Sequence, residues 1–342
     1  MSNWFGKGNR GFILGLWACC QPIGNIVGSM LSAAVLPSGY QNAFLLQSVL
    51  IVIGGFVIFF GISSHPHMGD LPAYTEIVDD SRVTAVNSST RVVRSDEEDA
   101  ELLEKRPPPI GFVSAILLPS VLAYCLCNAC LKLVNYAFFF WLPLYLNGKY
   151  HLPEKDAVQL SIWYDAGGAV SSVLGGYISD RIGCRSPVIV ILLTASLGAL
   201  FGYSQMPPGQ AWNAVVMSLV GLCISGPYNL IVGTISADLG SQPALMGNAQ
   251  ALSTVSGLVD GTGSAGSAIG QLIVPLINNN YGWDYVFYMF IVMNFLAVVC
   301  LLNRFVLDMR QLFDNYRRRR HEDTEPLLND QGHNDYSAIS PD

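Results

Sequence analysis

Residues 117–146 read LLPSVLAYCLCNACLKLVNYAFFFWLPLYL, and the single charged side chain in this run is Lys132. A helix needs about 20 apolar residues to cross the roughly 30 Å hydrocarbon layer of a bilayer, so the run predicts a transmembrane helix. Seven other stretches have the same character. The eight predicted spans cover residues 12–36, 43–62, 117–146, 157–178, 187–203, 211–237, 249–277 and 285–307.

The composition of the whole chain supports an all-α membrane protein. Its 342 residues are 51% hydrophobic and 13% charged, whereas soluble domains carry about 25% charged residues. This excludes an ordinary cytosolic enzyme, and the net charge of −7 excludes a nucleic-acid-binding protein. Seven of the eight cysteines lie inside apolar runs and Cys184 lies in a basic turn, so we interpret all eight as free thiols.

The distribution of basic residues predicts the topology. If every span crosses the bilayer, 15 of the 18 Lys and Arg residues fall on the side that holds both chain termini. Lys149 and Lys155 fall on the other side, and Lys132 lies within a span. Because loops rich in Lys and Arg stay in the cytosol, we expect both termini to be cytosolic.

Four regions follow from this pattern. Residues 1–62 hold two spans, and residues 111–307 hold six. Between them, residues 63–110 are polar and acidic and end in three prolines, which predicts a disordered cytosolic linker. Residues 308–342 form a charged cytosolic tail, which we expect to lose helical structure one or two turns after the last span.

Lys132 is the first candidate for a ligand-binding residue. An ionisable side chain at mid-membrane costs roughly 2.5–3.5 kcal/mol on insertion scales, so its presence needs a reason. Asn135 and Tyr136 follow at i+3 and i+4, on the same side of the helix. A cation, an amide and a phenol together can hold an anion. The alternatives are a lysine paired with a carboxylate for packing, or one that reaches to the membrane surface.

Four other intramembrane residues are weaker candidates. Asp165 is interpreted either as a partner of Lys132 or as a gate that releases it when a substrate arrives. Asp260 lies in a run of small residues suited to close helix approach, so packing or gating is favoured over ligand contact. Gln21 could line a cavity or hydrogen-bond between helices, and Trp17 could line a pocket or pack.

No catalytic constellation is present. None of the five histidines lies inside a predicted span, and the sequence holds neither a nucleophile elbow nor a phosphate-cradling Gly-Lys-Ser/Thr loop. We therefore predict that the protein is not an enzyme and uses no metal or redox cofactor.

A cytosolic turn gives the first resemblance to a known family. Residues 176–185 read GYISDRIGCR and join two predicted spans on the cytosolic side. They resemble the G-x-x-x-D-R-x-G-x-R loop of the major facilitator superfamily. The resemblance implies that Asp180, Arg181 and Arg185 lock helices together in one state and release them in another.

Several runs are similar more narrowly to the organophosphate:phosphate antiporters of that superfamily, and among them to the animal sugar phosphate exchangers. These runs are WFGKGNRG at 4–11, KLVNYAFFFWLPLYL at 132–146 and SIWYDAGG at 161–168. The resemblance implies a partial major facilitator fold whose eight spans correspond to helices five to twelve, with the first four lacking. Residues 1–62 would then end the N-terminal half, and residues 111–307 would form the C-terminal half.

The resemblance also implies a function. The protein would be a secondary transporter, an antiporter of sugar phosphate, phosphate or a similar organic anion, working by alternating access across an endomembrane. Lys132 would attract the anion, with Asn135, Tyr136, Gln21 and Trp17 around it. The bacterial members' fifth-helix histidine falls at Gln21, which carries no charge. The alternative is a non-transporting subunit or scaffold with a membrane-protein partner, or an inactive truncated fragment.

The tail carries a short sorting pattern. Asp323, Leu327 and Leu328 stand in the run DTEPLL, which matches the acidic dileucine signal for delivery to endosomes or lysosomes. The antiporter resemblance implies the endoplasmic reticulum as the alternative residence.

Overall fold

The chain folds as a succession of helices. The computed structural model describes residues 10–61, 110–207, 209–240 and 249–331. The helices within them are α1 (Arg10–Ala18), α2 (Cys20–Val35), α3 (Tyr40–Gly61), α4 (Phe112–Ile116), α5 (Val121–Tyr150), α6 (Glu154–Ile182), α7 (Ser186–Ser204), α8 (Gln210–Asn229), α9 (Ser236–Gly240), α10 (Ala249–Tyr281) and α11 (Trp283–Gln331). The expected all-α class is confirmed.

Six helical stretches are long and apolar enough to cross a membrane, as judged by length and composition over the described residues. They are Phe12–Val35, Tyr40–Gly61, Val121–Tyr150, Ser186–Ser204, Ala211–Gly240 and Trp283–Arg317. The other two predicted spans correspond to α6 and α10, which have sufficient length, with 29 and 33 residues, but contain more charged or small side chains. The chain is a multi-pass membrane protein.

Two of the spans are interrupted near prolines. The first breaks at Cys19 between α1 and α2. Pro22 has no N–H to donate to the carbonyl one turn earlier, which accounts for the break. The span that begins with α8 passes through a π-helical turn, Leu230–Ile235, just after Pro227 and before α9. Such turns insert one extra residue and mark places where a helix can bend.

Small residues bring the helices into close contact. Gly167 of α6 lies against the backbone carbonyl of Ser218 in α8, so closely that a side chain there would collide with it. Gly266 of α10 lies in the same way against the carbonyl of Ala129 in α5. The expectation that the small-residue run around Asp260 suits close helix approach is therefore confirmed. These two pairs and α7 with α11 form a bundle whose buried residues make one continuous core.

The first three helices contact this bundle unequally. α1 and α2 pack on α6, whereas α3 packs mainly on α2. None of the described side chains of α3 is buried. In a membrane protein, this apolar surface faces lipid or other protein.

The C-terminal helix is longer than the sequence suggested. Instead of losing helical structure soon after residue 307, the backbone of α11 continues to Gln331. Residues 308–322 contain good helix formers and neither Gly nor Pro, which explains the continuation. The sorting residues Asp323, Leu327 and Leu328 fall in this extension, where only the backbone is described. The predicted linker at 63–110 lies outside the described residues except for its last residue.

Candidate functional site

Lys132 is held inside the bundle by two groups on α10. Its Nζ lies 2.7 Å from Asp260 Oδ1 and 2.9 Å from Ser264 Oγ. Asp260 and Ser264 are four residues apart, so both face α5 from the same side of α10. The alternative in which Lys132 reaches to the membrane surface is wrong, because the residue is buried and its ammonium is paired.

Two tyrosine rings complete the surroundings of the ammonium. The Nζ of Lys132 lies 5.4 Å from the ring centroid of Tyr136 and 5.9 Å from that of Tyr228 on α8. The two rings meet edge to face with centroids 6.1 Å apart. Aromatic faces at this range attract a cation, so three helices share in stabilising one charge.

The ion pair is enclosed on one side only. The side chain of Lys132 is 6% exposed, whereas that of Asp260 is 49% exposed. Asp260 borders a strip of α10 in which small and polar side chains are exposed, namely Ser253, Gly257, Gly261, Ser264, Ala265 and Ala268. Such a strip differs from the large apolar side chains of α3.

Asn135 turns away from Lys132. Its Oδ1 accepts a hydrogen bond of 2.6 Å from the hydroxyl of Tyr164 on α6, and the Tyr164 ring stacks on Phe138. Residues at i+3 and i+4 point about 100° apart around a helix, so Asn135 and Tyr136 diverge although both neighbour Lys132. Asn135 therefore joins α5 to α6, and Tyr136 stays beside the ammonium.

Asp165 does not pair with Lys132, and this prediction is wrong. Its Oδ1 accepts a hydrogen bond of 3.3 Å from Asn25 Nδ2 on α2. The rotation of α6 points Asp165 at α2, while Asp260 on α10 takes the place beside Lys132. The contacts described do not join Gln21 or Trp17 to Lys132 either, and Trp17 is half exposed on α1.

A second polar cluster lies where α6 turns into α7. Arg185 contacts Asp180 Oδ1 at 3.1 Å and forms an ion pair with Asp238 beyond the π-helical turn. Asp180 Oδ2 also accepts the backbone N–H of Phe12 at the start of α1, at 2.8 Å. One carboxylate thus joins α1 to the bundle. The guanidinium of Arg181 lies over the ring of Tyr177, 5.2 Å from its centroid.

Two cavities lie beside α6, one near each of its ends. One of about 510 Å³ lies behind the second cluster, between the C-terminal end of α6 and the middle of α11. The other, of about 490 Å³, lies between α2 and the beginning of α6 and is lined by Asn25, Ser29, Gln47 and Lys155, among others. All eight cysteines are free thiols, as expected. Burial raises the pKa of the Cys184 thiol, in the turn beside the first cavity.

The first 259 residues of the chain identify the protein family to which it belongs. Residues 1–259 match the family model of the Major Facilitator Superfamily. The chain belongs to the major facilitator superfamily. Membership agrees with the helical membrane architecture and with the resemblance of the turn at 176–185. Membership also agrees with the prediction that the chain is not an enzyme.

Individual members of the superfamily show a closer similarity. The chain is 44% identical over 331 residues to sugar phosphate exchanger 3 of Xenopus laevis, covering 94% of this chain and 65% of that protein. It is 41% identical over 328 residues to the human sugar phosphate exchanger 3, with the same coverage. Identity to the glucose-6-phosphate exchanger SLC37A2 of Xenopus tropicalis is 34% over 330 residues, 93% of this chain and 66% of the relative.

These matches confirm the expected resemblance to the animal sugar phosphate exchangers, and two of the three relatives are sugar phosphate exchanger 3. The chain spans slightly less than two thirds of the length of these relatives. The sequence predicts Lys132 and Tyr136 as residues of the site, but it does not predict the contact of Ser264 or the roles of Tyr164 and Tyr228. Ser264 could have been predicted to lie on the same side of α10 as Asp260, because it follows Asp260 by one helical turn.

Proposed function

We propose that the protein is a secondary transporter that exchanges organic phosphates or related organic anions. The observation that carries the proposal is the ion pair of Lys132 and Asp260, in which the ammonium is buried and the carboxylate is half exposed. The names of the relatives, which are exchangers of sugar phosphate and glucose 6-phosphate, support the substrate class.

The geometry suggests how an anion would bind. A phosphate arriving from the exposed strip of α10 would displace the carboxylate of Asp260 and take its place on the ammonium of Lys132. Ser264 lies 2.9 Å from the same Nζ, so its hydroxyl is placed to donate to the phosphate. Tyr136 and Tyr228 would keep the ammonium in place during the exchange. In this scheme Asp260, for which the sequence favours packing or gating, is the carboxylate that gates Lys132, a role that the sequence also allowed for Asp165.

The contacts of Asp180 and the cavity beside α2 support alternating access between two halves. We assign residues 1–62 to the end of the N-terminal half and residues 111–307 to the C-terminal half. Asp180 holds α1 to the end of α6, which closes the protein at that level. At the opposite end of α6 a cavity separates α2 from Glu154 and Lys155. Release of the Asp180 contacts and closure of this cavity would change the side of the membrane from which the binding site is accessible, as in other transporters of this architecture.

The proposal includes the orientation of the chain in the membrane and the membrane in which it resides. The bias of 15 of 18 basic residues supports cytosolic termini, with the Asp180 cluster in the cytosol. The pattern at Asp323, Leu327 and Leu328 supports an endosomal or lysosomal membrane, and the endoplasmic reticulum is the alternative.

Anion exchange by proteoliposomes tests the proposal. The chain, reconstituted with internal phosphate, should take up labelled phosphate and sugar phosphates, and Lys132→Ala should abolish uptake because the buried charge is lost. Lys149→Ala is the matched control, since Lys149 pairs with Asp284 at the end of α5. Uptake by Lys132→Ala with unchanged kinetics would contradict the assigned role.

A scaffold or subunit without transport is the second candidate. The uncharged Gln21, at the position where related antiporters carry a histidine, favours it, and so does the uncovered apolar surface of α3. On this hypothesis the folded chain shows no exchange but co-purifies with a membrane protein from its native membrane.

A further inference from the structure

Asp165 is an acidic side chain deep in the membrane region that the proposed anion site does not use. It is the twelfth residue of α6, which begins at Glu154 and ends at Ile182. At 1.5 Å per residue, it lies about 16 Å from the beginning of the helix and about 25 Å from its end. The residue is partly buried, so neither end of α6 gives its carboxyl group the hydration of a surface residue.

The partner of Asp165 is neutral. Asn25 of α2 donates its amide hydrogen to Oδ1 at 3.3 Å. Among the described residues, no Lys, Arg or His nitrogen lies within ion-pair distance of this carboxyl group. Asp260 shows the contrast, because it lies 2.7 Å from the ammonium of Lys132.

The charged and titratable groups on the neighbouring helices have other partners or positions. Lys132 is paired with Asp260, and the hydroxyl of Tyr164 donates to Asn135. At the break between α1 and α2, the thiol of Cys19 donates to the carbonyl of Ala169. Other titratable groups on these helices include Cys20 on α2, Cys223 and Tyr228 on α8, Glu154, Lys155 and Asp156 at the beginning of α6, and Tyr177, Asp180, Arg181 and Arg185 towards its other end. On α5 they are Tyr124, Cys125, Cys127, Cys130, Tyr136, Tyr145, Lys149 and Tyr150.

The protonated acid suits this environment better than the carboxylate. An isolated charge in an apolar medium is costly, and a carboxyl group without a cation avoids the cost by taking up a proton. A protonated carboxyl group and a primary amide can also form two reciprocal hydrogen bonds, in which O–H donates to the amide oxygen and N–H donates to the acid carbonyl.

We propose that Asp165 carries a proton and forms, with Asn25, a proton-dependent contact between α2 and α6 that couples transport to proton movement. The proton comes from a hydronium ion in the cavity that Asn25 lines: one O–H bond of the hydronium breaks, leaving water, and one O–H bond forms on the carboxylate of Asp165. When the proton returns to water, the carboxylate requires hydration, which favours separation of the two helices. The coupling rests on the proposed transport function, whereas the protonated state of Asp165 does not.

Infrared spectroscopy measures the protonated state directly. The chain in lipid should show a carboxylic acid C=O band that grows as the pH is lowered, is absent in Asp165→Asn and is present in Asp156→Asn, a matched change on the same helix. Asn25→Leu should move the band to higher frequency by removing the hydrogen bond. Identical spectra for the unchanged chain and Asp165→Asn would overturn the proposal. If Asp165→Asn does not fold, a band unmoved in Asn25→Leu would overturn it.

Transport in a pH gradient measures the coupling. Anion uptake by the unchanged chain should be stimulated by a gradient that is acidic on the side of Glu154, and Asp165→Asn should lose this stimulation while retaining exchange at equal pH. Stimulation that persists in Asp165→Asn would overturn the coupling. Absence of all uptake would count against the proposed function, and the infrared result would still decide the protonation of Asp165.

Discussion

At the scale of single residues, the buried ammonium of Lys132 is stabilised by a partner that remains accessible. A lysine fully sealed against a buried carboxylate would be expensive to separate, because either charge would be left without water. Here Asp260 is half exposed, so it can leave the ammonium and gain hydration as an anion arrives. The unequal burial makes the pair suitable for reversible exchange.

Removing the charge of Asp260 should therefore have two opposite effects. Asp260→Asn leaves Lys132 without its counterion, and the unliganded protein should lose about 1–2 kcal/mol of stability, less than for a fully buried pair. Binding of phosphate should become tighter, because it no longer displaces a carboxylate. Thermal unfolding in detergent at several phosphate concentrations measures both effects. Asp284→Asn is the control, and weaker phosphate stabilisation in Asp260→Asn would contradict the displacement scheme.

Cys184 provides a test of pH dependence and of topology together. Because burial raises the pKa of its thiol, the reactive thiolate is scarce at neutral pH and increases as the pH rises towards that pKa. A membrane-impermeant maleimide should label Cys184 slowly at neutral pH and faster at alkaline pH, and only from the cytosolic side. Cys184→Ser gives the background. Labelling from the opposite side would contradict the proposed orientation.

At the scale of helices, the glycines of α10 divide into those that contact another helix and those that do not. A Cβ at Gly266 would collide with the backbone carbonyl of Ala129, whereas a Cβ at Gly257 would meet no atom within 4 Å. Backbone cannot move aside as a flexible side chain can. The close approach of α5 and α10, which places Lys132 beside Asp260, therefore depends on Gly266.

The same substitution at these two positions should have different consequences. Gly266→Ala should destabilise the protein by about 1–3 kcal/mol, because the two helices must separate. Gly257→Ala should cause no loss, since its surroundings are open. The midpoints of thermal unfolding of the two variants measure the difference. Equal midpoints would show that α5 and α10 are not closely packed at this level.

At the scale of the whole molecule, the two ends of α6 differ. At its C-terminal end, Asp180 joins the backbone of Phe12 and the guanidinium of Arg185. At its N-terminal end, a cavity of about 490 Å³ lies between α6 and α2. A cavity of about 510 Å³ adjoins the Asp180 cluster as well, so the two ends differ in their contacts rather than in their cavities, with α1 held to α6 at the Asp180 end.

Asp180→Asn should shift the molecule towards the opposite state. The amide loses the charge that holds Arg185 and that favours the N-terminal end of α1. We expect spin labels at the ends of α1 and α6 that lie near Asp180 to move apart in a double electron–electron resonance measurement. Asp156→Asn, at the other end of α6, is the control. An unchanged distance distribution in Asp180→Asn would contradict the assignment of Asp180 as a gate.

Much of the architecture could be predicted because the bilayer acts on local composition. The thickness of the hydrocarbon layer sets the length of apolar runs, so the spans could be predicted to within a few residues. The cost of burying charge singled out Lys132, and the turn containing Asp180 and Arg185 indicated the family. The extent of α11 could not be predicted from the hydrophobic pattern, since that pattern ends at the membrane surface and the helix does not.

The sequence alone determined that a cation stands in the membrane, beside Tyr136 and within a helical membrane protein. Only the tertiary structure decided which carboxylate it meets. Asp165 and Asp260 are equivalent as intramembrane acids in the sequence, and the choice between them depends on helix order, on rotation and on the glycines that let α10 approach α5. The rotation of α5 likewise turns Asn135 towards Tyr164. Local composition places a helix in the bilayer, whereas long-range packing decides which of its sides faces each neighbouring helix.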